Sequence, residues 1–470
     1  MIVPGRSSSN ALLWWHRGPA IPPVVEPVDP GRTLHVYDLA RLGAPDPANG
    51  PRVLAVGGLA PDREYRLTIG SETVRSATLP AALNPSRPFR VALGSCFYHS
   101  KDEGISAVYD GRLHRAGPAI DLRFLCGDQL YMDLADGLGQ ALPTPWKAPD
   151  PWKKYGEQWP AARFPQLMAA SPSVCLADDH EFWNDFPHEK AWIWWADKNP
   201  ASAIRRQLDA SYQAYQIALN LPPGPLADGV TDAVIDALLD GPARSFAIDV
   251  PPLSFFVLDL RSRRTVHDDP VLTELTPAAE MQRALAWMAG LAGPGILVLP
   301  QPIAIGRAST LERVLHAKGD WALSDYEASY GSLLDGLFGA PHDIMVLSGD
   351  IHWSRCYEMW RTDTGPRIFE VVSSPQKLML GGQPPDPEKK NKLEGKLEWH
   401  SPSGQPMTAF WHNLMAQPVA ESATWATLEF RFPEPPSQMK VEVSIEHWGL
   451  RTTTGVEARQ VAEPVIVRLR

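Results

Sequence analysis

Residues 122–133 have the sequence LRFLCGDQLYMD, a short apolar run that ends at Gly127 and Asp128. Similar short apolar runs recur along the chain and are separated by stretches of helical character. This pattern is typical of buried strands in an α/β domain. It predicts strands at residues 89–93, 122–126, 173–177, 254–258, 296–299, 344–347 and 368–372.

Four of the predicted strands end in residue types that bind metal ions. The clusters are GSC at 94–96, GDQLYMD at 127–133, DDHEFWND at 178–185 and SGDIHWSR at 348–355. Because ligands bind at the carboxyl ends of strands in open α/β sheets, we expect the clusters to converge on one crevice. Converging thiolate, phenolate, imidazole and carboxylate donors are what a multinuclear metal site requires. Each cluster alone is also compatible with a turn or a helix N-terminus.

The rest of the chain suggests three parts. Residues 1–85 alternate between apolar and polar and predict a small β-sandwich. Residues 86–420 carry the clusters, and 421–470 predict closing strands that pack on this middle part. Residues 189–220 predict a helical insertion. Two stretches rich in proline and tryptophan, 141–172 and 377–411, lack periodicity and predict long loops over the site.

Composition excludes several classes of protein. The chain has 470 residues, 44% hydrophobic and 21% charged, as in soluble globular proteins, and its four cysteines are too few for a disulfide framework. A net charge of -10 argues against a broad nucleic-acid surface. No apolar run is long enough for a membrane span, and residues 11–15 are too short for a secretory signal. We therefore expect a cytoplasmic protein, or a periplasmic or secreted one if an export signal has been removed.

The ordered set GSC, GDQLY, DDHExxND and SGDIHWS resembles the PhoD-like alkaline phosphatases, a branch of the metallophosphoesterase superfamily. The similarity covers about residues 86–420 and includes the segment FFVLDLR at 255–261. It implies an α/β fold, a four-layer sandwich of two mixed sheets flanked by helices. It also implies that the N-terminal β-sandwich is of the fibronectin III type.

The resemblance further implies a centre of Fe(III) and a divalent cation, Ca²⁺ or else Mn²⁺ or Zn²⁺. The iron ligands it implies are Cys96, Asp128, Tyr131 and His352, with Asp128 bridging to a divalent site completed by Asn184 and Asp350. Soft and aromatic donors suit Fe(III), and oxygen donors suit a hard divalent ion. Two departures leave the ligand set open, since Asp133 follows Tyr131 and Asp185 follows Asn184.

Such a centre predicts a metal-dependent hydrolase of small phosphoric esters, an alkaline phosphatase or phosphodiesterase in which metal-bound hydroxide attacks phosphorus in line. His180 either transfers a proton and contacts the substrate, or holds Asp128 or Asn184 in place. Arg261 either binds phosphate or pairs with Asp259. Asn184 and Arg355 are the remaining candidates for substrate contacts.

Other functions stay open at this point. The chain is alternatively a phosphotriesterase-like hydrolase, or a non-catalytic carbohydrate- or protein-binding module with a degenerate metal site. A metal amidohydrolase is disfavoured, because it needs His-rich ligation and the 13 histidines are spread along the chain. The tryptophans of the two predicted loops either wall the crevice, which would favour esters with an apolar group, or pack the loops down; they include Trp146, Trp152, Trp159, Trp399 and Trp411.

Overall fold

The computed structural model describes most of the chain. The described residues are 1–99, 102, 104–115, 119–134, 147–161, 163–188, 193–197, 199–266, 273–304, 326–376, 394–415, 423–432, 440–451 and 457–470.

Within these ranges the chain is a mixed α/β protein. Its strands are β1 (Ile2–Ser7), β2 (Leu12–Arg17), β3 (Val24–Glu26), β4 (Thr33–Asp38), β5 (Pro51–Gly57), β6 (Glu64–Ile69), β7 (Glu72–Ala77), β8 (Phe89–Gly94), β9 (Leu122–Cys126), β10 (Ser173–Leu176), β11 (Phe246–Val250), β12 (Leu253–Val257), β13 (Gly295–Val298), β14 (Ile344–Ser348), β15 (Arg355–Trp360), β16 (Ile368–Val372), β17 (Glu394–His400), β18 (Pro406–Asn413), β19 (Thr424–Arg431), β20 (Val441–Arg451), β21 (Glu457–Gln460) and β22 (Val465–Leu469). Its α-helices are α1 (Ile105–Asp110), α2 (Pro151–Gln158), α3 (Phe164–Ala169), α4 (Ala203–Tyr215), α5 (Pro223–Ala227), α6 (Asp232–Asp240), α7 (Ala278–Ala289) and α8 (Glu327–Phe338).

Two large mixed sheets form the centre of the molecule, as predicted for an α/β fold. The seven-stranded sheet has the order β10-β9-β8-β19-β20-β21, with β22 paired to β20, and β8, β9 and β10 run parallel. The eight-stranded sheet has the order β11-β12-β13-β14-β16-β15-β18-β17, and β12, β13, β14 and β16 run parallel. The predicted buried strands are all present, three in the first sheet and four in the second.

The hydrophobic core between the two sheets fixes how they face each other. The ring of Phe255 in the second sheet lies 6.0 Å from Phe89 and 5.9 Å from Phe124 in the first, measured between centroids. Helices α1 to α4 share a hydrophobic cluster with the other face of β8, β9 and β10. Helices α7 and α8 cover the outer face of the second sheet. Apolar residues therefore line both faces of the central strands, which explains their nearly continuous apolar sequences.

The N-terminal strands form two small sheets. A four-stranded sheet, β1-β2-β5-β4, packs through Trp14 and Leu54 on the three-stranded sheet β3-β6-β7, and this core includes Tyr65 and Leu67. Its other face packs on the central part of the protein, where the indole N–H of Trp15 donates to the carbonyl of Ala214, 2.7 Å away. Successive residues of β2 thus serve two different cores, as the pleat of a strand requires. The fibronectin III type and the domain boundaries stay predictions.

The two predicted long loops are partly wrong. Helices α2 and α3 lie within 141–172, and the hairpin of β17 and β18 occupies residues 394–411 of the second predicted loop and ends at Asn413. Residues 141–146, 162 and 377–393 lie outside the described residues. The high proline content suggested loops, but proline is compatible with the first turn of a helix, where its missing N–H costs no hydrogen bond. Both helices have a proline in that turn. Helix α4 lies within the predicted helical segment 189–220, of which residues 189–192 and 198 lie outside the described residues.

The closing strands are integral to the first sheet. Strand β19 lies between β8 and β20, so the chain after residue 423 completes the sheet that carries the first three clusters. None of the described helices is long and apolar enough to cross a membrane.

Candidate metal centre

The carboxyl ends of strands from both sheets meet at one place. The first three clusters follow the adjacent parallel strands β8, β9 and β10, and the fourth follows β14 of the other sheet. Gly349 lies at this meeting point, because a Cβ atom there would lie 2.3 Å from Cβ of Ser95 and 2.7 Å from the carbonyl oxygen of Cys126. Only a residue without a side chain fits between the strand ends.

This approach brings donor groups together around Asp128. One ligand atom each of Cys96, Asp128 and His352 lie within 4.8 Å of one another. Asp128 forms a second such group with Asp179 and His180, and a third with Asp178 and Asp350. The carboxylate of Asp128 is thus common to all three groups.

Tyr131 reaches the same carboxylate. Its hydroxyl donates to Oδ2 of Asp128 at 3.5 Å, and Sγ of Cys96 lies 3.4 Å from the same oxygen. The predicted ligands Cys96, Asp128, Tyr131, Asp350 and His352 are therefore gathered at one site. Asn184 is placed nearby through its backbone N–H, which donates to Oδ2 of Asp133 at 3.2 Å.

The backbone at this site is unusual. In the described part of the chain, six residues other than glycine have a positive φ, and five of them lie in the strand-end clusters: Cys96 (59°), Asp128 (54°), Asp185 (62°), Asp350 (67°) and His352 (59°). Such residues cost of order 1–3 kcal/mol each and concentrate at functional sites. The turns thus present side chains in directions that a regular strand or helix would not allow.

The electrostatics of the site favour a cation. Asp128, Asp178, Asp179 and Asp350 are at most 3% exposed. Burial and the charges of Asp128 and Asp350 raise the pKa of the Cys96 thiol well above its usual value. Burial, Cys96 and nearby aspartates do the same to the pKa of Tyr131. A bound cation would relieve this repulsion and favour the thiolate and phenolate, so the donor set fits a metal centre.

Known structures support the fold directly. A solved structure titled "Structure of PhoD" has a TM-score of 0.61 to this chain at 17% sequence identity, covering 98% of this chain and 88% of that one. The chain has the fold of PhoD. No protein-family model and no curated protein matches the sequence. Four short motifs therefore indicated the PhoD fold at an overall sequence identity of 17%.

His180 and Asp133 form a pair beside the donor cluster of this PhoD fold. The two residues are joined by a contact of 2.8 Å between Nδ1 of His180 and Oδ1 of Asp133. Burial disfavours both charges, but the pairing outweighs it: the pKa of His180 is raised well above its usual value and that of Asp133 is lowered. The backbone N–H of His180 donates to Oδ1 of Asp128 at 3.3 Å. His180 therefore contacts both Asp133 and the central carboxylate.

The two predicted arginine contacts with substrate are not favoured in this PhoD fold. Arg261 is fully buried, and its guanidinium pairs with Asp178 and donates to the carbonyl of Phe186 at 2.7 Å. Its backbone N–H donates to Oδ1 of Asp259 at 2.9 Å. The guanidinium of Arg355 pairs with buried Glu370 at 2.7 Å. Both arginines are held in buried ion pairs.

Sequence reasoning missed residues that hold the donors. The Ser374 hydroxyl donates to Sγ of Cys96 at 3.3 Å and accepts the N–H of His352 at 3.2 Å. The amide of Gln301 donates to Oδ2 of Asp350 at 3.1 Å. Gln301 follows the apolar run 296–299, just as each predicted cluster follows an apolar run. Its position in the sequence could therefore have identified it as part of the site. Ser374 has no comparable signal.

The tryptophans and remaining cysteines pack in cores. Trp152 and Trp159 belong to the cluster under α2, Trp399 stacks on Phe338 at 5.6 Å, and Trp411 stacks on Tyr357 at 4.5 Å. These four tryptophans therefore pack against neighbouring side chains, which was one of the two alternatives considered from the sequence. Trp146 lies outside the described residues. The cysteines other than Cys96 are buried, as predicted: Cys126, Cys175 and Cys356.

Proposed function

We propose that this protein is a metal-dependent hydrolase of phosphoric esters, acting on monoesters, diesters or both. The observation that carries the proposal is the central carboxylate of Asp128, which shares its surroundings with a thiol, two imidazoles and three further carboxylates. The PhoD fold supports the same function, because it places these donors at the carboxyl ends of parallel strands.

The donors divide by their chemistry. The proposed ligands of Fe(III) are Cys96, Asp128, Tyr131 and His352, and those of a divalent ion, Ca²⁺ or alternatively Mn²⁺ or Zn²⁺, are Asp128, Asn184 and Asp350. When bound, such ions supply Lewis acidity toward phosphoryl oxygens and lower the pKa of water. The hydroxyl of Ser374 and the amide of Gln301 orient Cys96 and Asp350.

His180 is the proposed proton-transfer residue. Its Nδ1–H donates to the carboxylate of Asp133, which leaves Nε2 as the nitrogen that exchanges a proton with the leaving oxygen. Its backbone N–H also holds Asp128, so the two roles considered from sequence are compatible. Arg261 and Arg355 support the site from buried ion pairs instead of binding phosphate.

The test uses metal-stripped protein, a panel of phosphate mono-, di- and triesters, and added Ca²⁺, Mn²⁺, Zn²⁺ or Fe³⁺. We expect turnover of a mono- or diester with metal, and its loss in Asp128→Asn at nearly unchanged stability. Asp343→Asn is the control, because Asp343 is a buried carboxylate at the opposite, amino end of β14. Unchanged turnover in Asp128→Asn would contradict the site. Fewer than about one metal per purified chain would favour the binding module.

The iron assignment has a separate readout. A phenolate bound to Fe(III) gives visible colour, so Tyr131→Phe is expected to bleach the absorption of the iron-loaded protein. Asp133→Asn is expected to retain the colour, because Asp133 contacts His180 and the backbone of Asn184. The reverse result would transfer the ligand role from Tyr131 to Asp133.

A further inference from the structure

Glu181 is a buried carboxylate that no ion pair explains. Its side chain is 0% exposed, and within the described ranges no Lys or Arg pairs with it. It accepts four N–H groups instead. Oε2 accepts the backbone N–H of Asp128 at 3.0 Å and of Asp178 at 2.9 Å. Oε1 accepts the backbone N–H of Gln129 at 2.7 Å and the side-chain amide of Gln216 at 3.0 Å.

These four donors come from three separate segments. Asp128 and Gln129 form the turn after β9, Asp178 begins the turn after β10, and Gln216 ends α4. The consecutive N–H groups of Asp128 and Gln129 point at the two oxygens of one carboxylate, which is the geometry of an anion-binding nest. Glu181 therefore ties the two turns that carry the donor groups to each other and to a helix.

Burial and the charge of Asp128 raise the pKa of Glu181 to about 8, whereas the N–H donors around it favour the ionised carboxylate. It accepts at both oxygens and has about four acceptor positions, all of which are used here. A glutamine at this position would replace one carboxylate oxygen by an NH₂ group, which is a donor and would face two N–H groups. Buried donors left without an acceptor destabilise the turns that carry them.

We propose that Glu181 is a positioning residue for the metal centre, which acts by holding Asp128 in its left-handed conformation. The φ of 54° at Asp128 is sparsely populated for a residue with a side chain, so the turn needs external bonds to persist. Glu181 supplies one to Asp128 and one to the residue after it. This role deepens the proposed function, because Asp128 is its bridging ligand.

The experiment measures metal binding and local opening, without activity. Chelator-treated wild type and Glu181→Gln are titrated with Mn²⁺ alone by calorimetry, and amide hydrogen exchange of residues 127–130 is followed in the metal-free proteins. We expect Glu181→Gln to bind Mn²⁺ at least tenfold more weakly and to exchange these amides at least tenfold faster.

Asp343→Asn is the matched control, since Asp343 is also a buried carboxylate that accepts two backbone N–H groups, both at 2.8 Å. It is expected to lose stability but to keep wild-type Mn²⁺ affinity and wild-type exchange at 127–130. Equal losses of Mn²⁺ affinity in both variants would reduce Glu181 to a general structural role and overturn the proposal. The proposal would also be overturned if Glu181→Gln kept the Mn²⁺ affinity and the amide exchange rates of the wild type.

A second variant keeps the question decidable if Glu181→Gln does not fold. Gln216→Met removes one of the four donors and leaves the three backbone bonds, so a loss of Mn²⁺ affinity of about threefold is expected. Unchanged affinity in Gln216→Met would then refute the role. If wild type hydrolyses no phosphate ester, the proposed function fails, but the exchange comparison still decides what Glu181 does.

Discussion

Gly349→Ala tests whether the two sheets meet where the candidate site lies. The added Cβ would lie 2.3 Å from Cβ of Ser95, 2.4 Å from its hydroxyl and 2.7 Å from the carbonyl oxygen of Cys126. Carbon atoms in contact prefer about 3.5–4.0 Å, so Ser95 must move by more than about 1 Å. Its hydroxyl is held by the N–H of Asp350 and the carbonyl of Ser373, each at 3.1 Å.

The cost follows from these contacts. Overpacking a tight site costs about 1–3 kcal/mol and each lost hydrogen bond about 1 kcal/mol, so we expect the free energy of unfolding to fall by about 2–5 kcal/mol. A displacement of about 1 Å between the strand ends that carry Cys96 and Asp350 is expected to lower ester turnover about 100-fold.

Urea unfolding followed by tryptophan fluorescence measures the first effect, and steady-state kinetics on the best ester measures the second. Gly111→Ala is the control, since Gly111 follows α1 with helical angles, φ −57° and ψ −46°, and a Cβ there would meet nothing within 4 Å. It is expected to be neutral or to stabilise by about 0.5–1 kcal/mol. If Gly349→Ala changes stability by less than about 0.5 kcal/mol and leaves turnover intact, the strand ends do not meet as described.

Two further predictions concern buried ionisable side chains. Arg261→Met removes the guanidinium that pairs with Asp178 and is expected to lower the free energy of unfolding by about 3–5 kcal/mol. The double variant Arg261→Met/Asp178→Asn is expected to recover part of this loss. Unchanged stability with a raised KM would instead support phosphate binding by Arg261. His447 is 1% exposed, and burial lowers its pKa from 6.5 to about 4. The unfolded chain therefore binds more protons between these pH values, so stability falls as the pH falls from 6.5 to 4, by about 3 kcal/mol in total. His447→Gln is expected to remove this part of the pH dependence, and an unchanged slope in urea unfolding at several pH values would contradict the assignment.

The central strands were predictable because they are buried on both faces. Runs such as Leu122–Cys126 and Ile344–Leu347 stand out against polar surroundings, and the structure places strands there within one residue. Helices α2 and α3 were not predictable in the same way, because proline and tryptophan interrupt their apolar periodicity. The division of parallel strands between two sheets also has no local signal, since strand pairing depends on contacts between distant segments.

The candidate site was also only partly predictable from the sequence. The donors Cys96, Asp128, Asp350 and His352 each follow a recognisable strand, so their types and positions were apparent from the sequence. Glu181 appeared only as part of an acidic cluster, and its four N–H partners belong to segments up to 53 residues away.

The amino-acid sequence by itself determined the buried strands, the donor residues at their ends and the resemblance to PhoD-like proteins. It could do so because burial selects apolar residues strand by strand, and the donor residues directly follow those strands in the sequence. Only the tertiary structure decided that the fourth cluster comes from the opposite sheet and that Arg261 pairs with Asp178. It also decided that Glu181 accepts the backbone N–H of Asp128 and that Ser374 donates to Cys96. Each of these depends on which distant backbone and side-chain groups meet when the two sheets pack, and a linear pattern does not record that.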